Sequence, residues 1–381
     1  MNYLLLAIIP LLLSFLLTAF SDRIQKVLDS RFTYTGKEWL RYAFNLNETI
    51  KSYVITTYHR AIGSELWGSY GGIVEYMIIY PIKSVGSGVK VTEWELSSYG
   101  FKGDRQYMIA YFDKDKGYYT KLSLKDHQKL ALVKVRFDEK SRYFNFTCSE
   151  SSFSLPIEMT EELVQHYSSC PSTEQKISFY TSTMRGYVLD KILPRSFIDS
   201  MELPEEAVLI CTTDGKPCTV GVPKKEKRST IFQDYYPILM CSEASYESVK
   251  EEVGEDVGPL QMYSFRPNLV IEDTKPFAED SYFEFDIVGD ASRHRFRAPI
   301  KCIRCNFPNV DYKVGKFDKK ARVTRALSRF RRVDEKYPRN TCFGKYVVNL
   351  EEGFKVRKGD KLDVVLKRID YWRENPFRAA K

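Results

Sequence analysis

The hydrophobic pattern divides the chain at its first twenty residues. Tyr3 to Phe20 carries no charge and is rich in Leu and Ile, close to the minimum length for a bilayer-spanning helix. Pro10 is compatible with such a helix as a kink. No basic segment precedes the run and no clean small-x-small site follows it, which favours an anchor over a cleaved leader. Arg23, Lys26 and Arg31, partly offset by Asp22 and Asp29, flank its C-terminal side and put the body in the cytosol. On that topology the sequons at Asn47 and Asn145 escape glycosylation. Ile24, Val27, Leu28 and Phe32 then recur at helical spacing, and Gly63, Gly68, Gly71 and Gly72 mark a loop.

From Gly72 the pattern becomes that of strands. Ile73–Tyr80, Val89–Leu96 and Gln106–Phe112 are apolar runs punctuated by Gly86, Gly88, Gly100, Gly103 and Gly117. Helices are expected around Glu161–Tyr167 and Arg185–Leu193, and Gly215–Gln233 reads as an exposed basic loop. Ser242 is a natural N-cap for a helix that places Tyr246, Val249 and Val253 on one face and stops at Gly254. Strands return at Asn268–Glu272, Tyr282–Val288, Arg295–Ile300, Tyr346–Val348 and Lys361–Leu366. This predicts an α+β chain, mainly β, with an antiparallel sheet or barrel.

Composition narrows the function. The chain has 381 residues, 43% hydrophobic and 28% charged, which is ordinary for a folded protein. A net charge of +8 permits an anionic cofactor, an acidic partner or a membrane surface. It lacks the dense basic stripe of a nucleic-acid binder, so no nucleic-acid partner is expected. Eight cysteines are sparse for the length and point to a reducing compartment.

Cys302-Ile303-Arg304-Cys305 is the first chemical candidate. Zinc needs two further ligands, and the four histidines have no zinc-like spacing. A thioredoxin-like pair should open a helix, which Asn306, Phe307 and Pro308 disfavour. A soft thiolate on a transition metal and a buried structural pair both remain open. Lys83 and Ser84 in a Gly-rich turn, Arg105 after Gly103-Asp104, and Arg266 with Asn268 are candidate anion contacts, or ordinary surface and structural residues.

Taken in order, these segments resemble the MOSC family, and more narrowly the mitochondrial amidoxime-reducing component and its fungal relatives. The matching stretches are YPIKS (80–84), GDR (103–105), KLALV (129–133), SEAS (242–245), FRPNLVIED (265–273), CIRC (302–305) and FGKYVV (343–348). The resemblance implies a MOSC β-barrel with an N-terminal MOSC subdomain. The chain then divides into a transmembrane anchor (1–21), a connector (22–71), an N-terminal barrel-like subdomain (72–200), the MOSC domain (201–370) and a tail (371–381). It implies a molybdenum cofactor, Mo-molybdopterin, ligated by Cys305 with Cys302 as a neighbour. Lys83, Ser84 and Arg105 would contact the cofactor, and Arg266 and Asn268 would line its pocket.

The implied activity is reduction of small N-hydroxylated compounds such as amidoximes, with electrons from a cytochrome b5-type donor and its reductase. The implied location is the mitochondrial outer membrane, or alternatively the endoplasmic reticulum, with the catalytic body in the cytosol. Tyr235, Tyr236 and Ile303 stand where relatives have smaller or hydroxyl-bearing residues. They keep open a membrane-tethered module that has lost the cofactor; a sulfur-carrier role for Cys305 is a third reading. Lys319–Arg332 reads as an amphipathic helix over Val323, Leu327 and Phe330, either merely solvated or a docking face for an acidic electron donor.

Overall fold

The computed structural model describes residues 69–367, apart from 150, 180–181, 213–215, 218–228, 255–259, 291, 335–336 and 338. The expected anchor, most of the connector, the helix at residues 24–32 and the tail lie outside the described residues. Among the described residues no helix is long and apolar enough to cross a membrane.

Strands whose side chains alternate between the two faces close into two rings. The larger is built from Leu269–Glu272, Ile238–Ser242, Cys342–Asn349, Arg293–Ile303, Tyr282–Val288, Lys361–Lys367 and Ser69–Ile79, in that order. Ser69–Ile79 pairs back onto Leu269–Glu272, so the seven strands form a closed barrel, with Val89–Val91 paired to the C-terminal end of Ser69–Ile79. All joins in this ring are antiparallel except Ile238–Ser242 beside Leu269–Glu272. The smaller ring runs Val208–Cys211, Ser182–Leu189, Gln175–Phe179, Tyr118–Lys121, Tyr107–Asp113, and closes from Tyr107–Asp113 onto Val208–Cys211. Ile82–Lys83 is appended to it beside Tyr107–Asp113. Ring closure removes the unpaired edges that an open sheet would leave.

Strand membership crosses chain order. Ser69–Ile79 belongs to the large barrel, although the chain then passes through Tyr80 and Pro81 straight into the small one. Gly72 makes this strand possible: at φ +102 a Cβ would lie 2.5 Å from the Glu272 carbonyl oxygen, and the register shifts between Tyr70 and Ile73.

Four α-helices are present among the described residues: Glu161–Tyr167, Arg195–Ser200, Glu243–Val253 and Arg322–Phe330. Ser242 caps Glu243–Val253 by accepting from the Ser245 amide, Tyr246 and Val249 are buried, and Gly254 ends the helix at φ +82, as the pattern predicts.

Three local expectations need correction. The helix expected at Arg185–Leu193 is instead the strand Ser182–Leu189, whose pairings with Gln175–Phe179 and Val208–Cys211 are needed to close the small ring. Val89–Leu96 is two strands, interrupted at Thr92, because Glu93–Ser97 leaves to pair with Lys355–Arg357. The end of the expected exposed loop at Gly215–Gln233 is buried: Phe232 is 0% and Gln233 3% exposed, because they pack between the small barrel and the site described next.

Candidate functional site

All six residues singled out in the sequence line one cleft: Lys83, Ser84, Arg105, Arg266, Asn268 and Cys305. It holds about 690 Å³ of atom-free space and opens to solvent. The small barrel contributes Lys83, Ser84 and Arg105. The large barrel contributes Arg266 and Asn268 ahead of Leu269–Glu272, and Arg304 and Cys305 at the end of Arg293–Ile303.

The turns that deliver these side chains are shaped for it. Ser84, Arg105 and Arg266 all adopt left-handed backbone conformations, with φ of 63, 48 and 56. Non-glycine residues rarely sit there, and three in one cleft is a local cost held in place by surrounding bonds. Gly103 (φ +76) precedes the Arg105 turn; a Cβ there would stand 2.8 Å from Ile157.

Arg105 donates twice to Asp104, at 2.8 and 2.7 Å, and to the Arg266 carbonyl at 3.1 Å. Asp104 also accepts from the Tyr80 amide at 2.9 Å. The Arg105 and Arg266 guanidiniums lie over the ring of Tyr80, at 4.4 and 4.2 Å from its centroid. Lys83 donates to Asp234 at 2.5 Å and to the Phe232 carbonyl at 2.9 Å. Burial holds the Lys83 ammonium below the usual lysine range, and Asp234 opposes that shift. Asn268 donates through its side-chain amide to the Ile78 carbonyl at 3.2 Å and accepts at its side-chain oxygen from the Leu239 amide at 3.2 Å, which fixes the wall and leaves one N–H and one lone pair of the side chain outside these two bonds.

The two cysteines have different surroundings. Cys302 is buried and Cys305 is exposed; both are free thiols. Arg304 Nη1 donates to Cys302 Sγ at 3.1 Å and Nη2 to the Phe265 carbonyl at 2.8 Å. Protein packed around the Cys305 thiol pushes its pKa up even though the residue reaches solvent, and the Arg304 charge pulls it down. Tyr236 and Tyr346 meet at the cleft with their rings tilted by 35° and 5.6 Å between centroids, and Phe265 and Phe307 complete an aromatic lining. Tyr235 meets Tyr346 edge-on at 6.1 Å.

Two matches decide the family. The model described as MOSC N-terminal beta barrel domain matches residues 71–182, and the one described as MOSC domain matches residues 227–363. The chain belongs to the MOSC family. Among curated MOSC relatives, mitochondrial amidoxime-reducing component 1 of Homo sapiens is 24% identical over 76% of this chain and 82% of its own length. Mitochondrial amidoxime reducing component 2 of Rattus norvegicus is 25% identical over 76% of this chain and 82% of its own length. Molybdenum cofactor sulfurase of Caenorhabditis elegans is 25% identical over 66% of this chain, but the match spans only 30% of that protein.

The lining of the site is compatible with an anionic, metal-bearing ligand. Arg266 Nη2 and Arg304 Nε are buried without a hydrogen-bond partner, in a cleft that also exposes a thiol. Among the described residues no group of three His, Cys, Asp or Glu side chains could hold a bare metal ion. A metal at Cys305 would therefore take its remaining donors from the ligand that carries it. Sequence reasoning passed over Asp104, Asp234, Arg304, Tyr80 and Tyr346. Asp104, Arg304, Tyr80 and Tyr346 sit inside motifs that were quoted for other residues, so the positions were visible, although their partners were not.

Proposed function

We propose that this MOSC protein is a molybdenum-cofactor oxidoreductase that reduces small N-hydroxylated compounds, amidoximes among them. The observation that carries the reading is a reachable Cys305 thiol in a cleft lined by Lys83, Arg105, Arg266 and Arg304. Cys305 would ligate molybdenum, and Lys83, Ser84, Arg105, Arg266 and Asn268 would form the cofactor's bed. When bound, the cofactor supplies the two-electron redox chemistry that no side chain here can provide. The chain's own residues do the rest. Arg304 holds Cys302 and the Phe265 carbonyl, so the turn carrying Cys305 is fixed to the opposite segment. Asn268 ties Leu239 to Ile78 and keeps the cleft wall from spreading. Phe265, Phe307, Tyr236 and Tyr346 give the thiol side of the cleft an aromatic lining. Loss of the substrate oxygen as water takes up two electrons and two protons for each molecule reduced.

Residues 1–21 would anchor the chain and 22–71 connect it to the body; 72–200, 201–370 and 371–381 would follow as stretches of sequence rather than separable barrels, with the body facing the cytosol at the mitochondrial outer membrane. The names of the human and rat relatives support a mitochondrial association. A cytochrome b5-type donor and its reductase would deliver electrons, approaching the Lys319–Arg332 face. Three of its seven cations already have carboxylate partners: Arg322 pairs with Asp318, Arg329 with Glu252, and Arg331 is buried against Asp280. Lys319, Lys320, Arg325 and Arg332 remain exposed for a partner.

Likeness to the sulfurase favours a second reading, in which Cys305 carries sulfur. One preparation separates them. The full chain, made in a host that supplies the cofactor, should contain molybdenum and pterin in equal amounts, both lost in Cys305→Ala. It should also reduce an aryl amidoxime with a chemical electron source. Persulfide on Cys305 without molybdenum would select the sulfur-carrier reading. A folded protein empty of both would leave the module that has lost its cofactor.

A further inference from the structure

The helix Arg322–Phe330 starts without a cap of its own. Ala321 stands at the N-cap position at φ +48 and makes no side-chain cap bond. The first amides of a helix have no partner within it, and leaving them unmet in a buried setting is costly. Here two side chains from outside the helix meet them. Asp318 accepts from the Arg322 amide at 2.9 Å. Asn309 Oδ1 accepts from the amides of Val323 at 3.0 Å and Thr324 at 3.2 Å.

Asn309 itself belongs to the turn Phe307–Asn309 that follows Cys305. It is buried, and its Nδ2 donates to the Asn306 carbonyl at 3.1 Å and to the Thr324 hydroxyl at 2.6 Å. Both donors and both lone pairs of the side-chain amide are thereby used. Oδ1 faces two N–H groups, so the amide has one orientation only. Its hold on the turn falls directly behind the thiol. Asn306 is the residue after Cys305, and the Phe307 amide bonds to the Cys305 sulfur.

Packing does not fill this junction. A solvent-open hollow with about 550 Å³ of atom-free space is lined by Pro308 and Val310 of the turn and by Arg322 and Val323 of the helix. Two main-chain bonds of residue 309 persist whatever its side chain, to the Asn306 carbonyl at 3.0 Å and from the Asp318 amide at 2.7 Å. Neither reaches the helix.

We infer that Asn309 is a positioning residue for Cys305: its side-chain amide fastens the turn behind the thiol to the first turn of Arg322–Phe330. The helix that carries the exposed Arg325 and the turn that carries the thiol are one piece. The role of the thiol as metal ligand rests on the proposed function; the fastening does not.

The test uses the full chain in detergent. Asn309→Asp keeps an acceptor for the Val323 and Thr324 amides, lets the Thr324 hydroxyl donate instead of accept, and removes the donor to the Asn306 carbonyl. Asn309→Ala removes everything. Hydrogen exchange read by mass spectrometry on cofactor-free protein should show the amides of residues 306–310 opening faster in Asn309→Asp. The expected factor is roughly threefold to tenfold, the range for one lost hydrogen bond. The amides of residues 323–324 and the urea midpoint should stay as in the wild type. In Asn309→Ala both segments should exchange faster and the midpoint should fall. In protein from a host that supplies the cofactor, the paramagnetic resonance signal of the bound metal reads how the Cys305 sulfur sits on it. At equal metal content, that signal should shift or split in Asn309→Asp although the midpoint does not move, which a purely structural role would not produce. Wild-type exchange at residues 306–310 in Asn309→Asp overturns the inference, as does an unchanged metal signal in the loaded variant. If Asn309→Asp does not fold, Asn309→Ala carries the test, and unchanged exchange at 306–310 there overturns it equally. Turn exchange that answers to Asn309→Asp in a protein that never acquires molybdenum refutes the redox reading and leaves the fastening. A molybdenum-loaded protein whose turn ignores the substitution does the reverse.

Discussion

The two walls of the cleft are both cationic, and they are built on opposite plans. On the small-barrel wall, Lys83 and Arg105 each meet a carboxylate from their own chain. On the large-barrel wall, Arg266 and Arg304 meet carbonyls and a thiol, and each keeps one buried donor unsatisfied. A count of positive residues would rate the walls alike. Their partners do not: the first wall is an internally neutral frame, and the second holds charge in readiness for a ligand. The difference teaches that a motif cation is informative about binding only when its counter-ion is known.

The strongest way to break this contrast is to remove a counter-ion from the frame. Asp104→Ala would leave the Arg105 guanidinium buried and unpaired, with the Tyr80 amide unbonded as well. It should cost about 3–5 kcal/mol in urea unfolding. A loss below 1 kcal/mol, roughly the worth of an exposed pair, would show that the frame is not built on that ion pair.

A smaller effect is expected at the seam. Asn268→Ala removes the two side-chain bonds to the Ile78 carbonyl and from the Leu239 amide, while the main-chain bonds of residue 268 to both segments remain. About 2 kcal/mol of stability should go, again by urea unfolding. If Asn268 instead served chiefly as a ligand donor, stability would hold and cofactor content alone would drop.

The smallest effect concerns Lys121 at the end of Tyr118–Lys121 in the small barrel. Burial, with the nearby Lys83 charge second, pulls its pKa down from 10.5 to about 8. Folded protein therefore binds fewer protons than unfolded protein between those values, and stability rises as pH climbs through that window. Lys121→Met should be more stable than wild type at pH 7 by about 1 kcal/mol once solvent screening is allowed for. The gap should close as pH rises from about 8 to 10.5. An advantage that does not change with pH would mean that packing, not charge, caused it.

Much of this was readable in the chain before any coordinates. Tyr282–Val288 appears with its expected ends, and the Ser242 cap and Gly254 stop bracket their helix. The six residues taken from motifs converge on one cleft. What failed was long-range. Arg185–Leu193 looked helical because local pattern cannot register that Tyr187 will lie opposite Cys211. The ion pairs of Arg329 and Arg331 were also hidden, because Glu252 and Asp280 are remote in sequence from them. Asp104 and Arg304 stood in plain view, yet their roles depend on partners chosen by the fold.

Ring closure has a consequence for how the chain can be divided. The first stave of the large barrel, Ser69–Ile79, precedes the whole small barrel, and Val208–Cys211 completes the small barrel only after residue 200. A cut there would hand each fragment a barrel with one stave missing, its neighbours exposing raw backbone on both sides of the gap. Gene fusion, duplication or protease trimming that kept one half would inherit a sticky, incomplete cylinder. The halves must be inherited together, and so must the ligand-binding crevice they enclose.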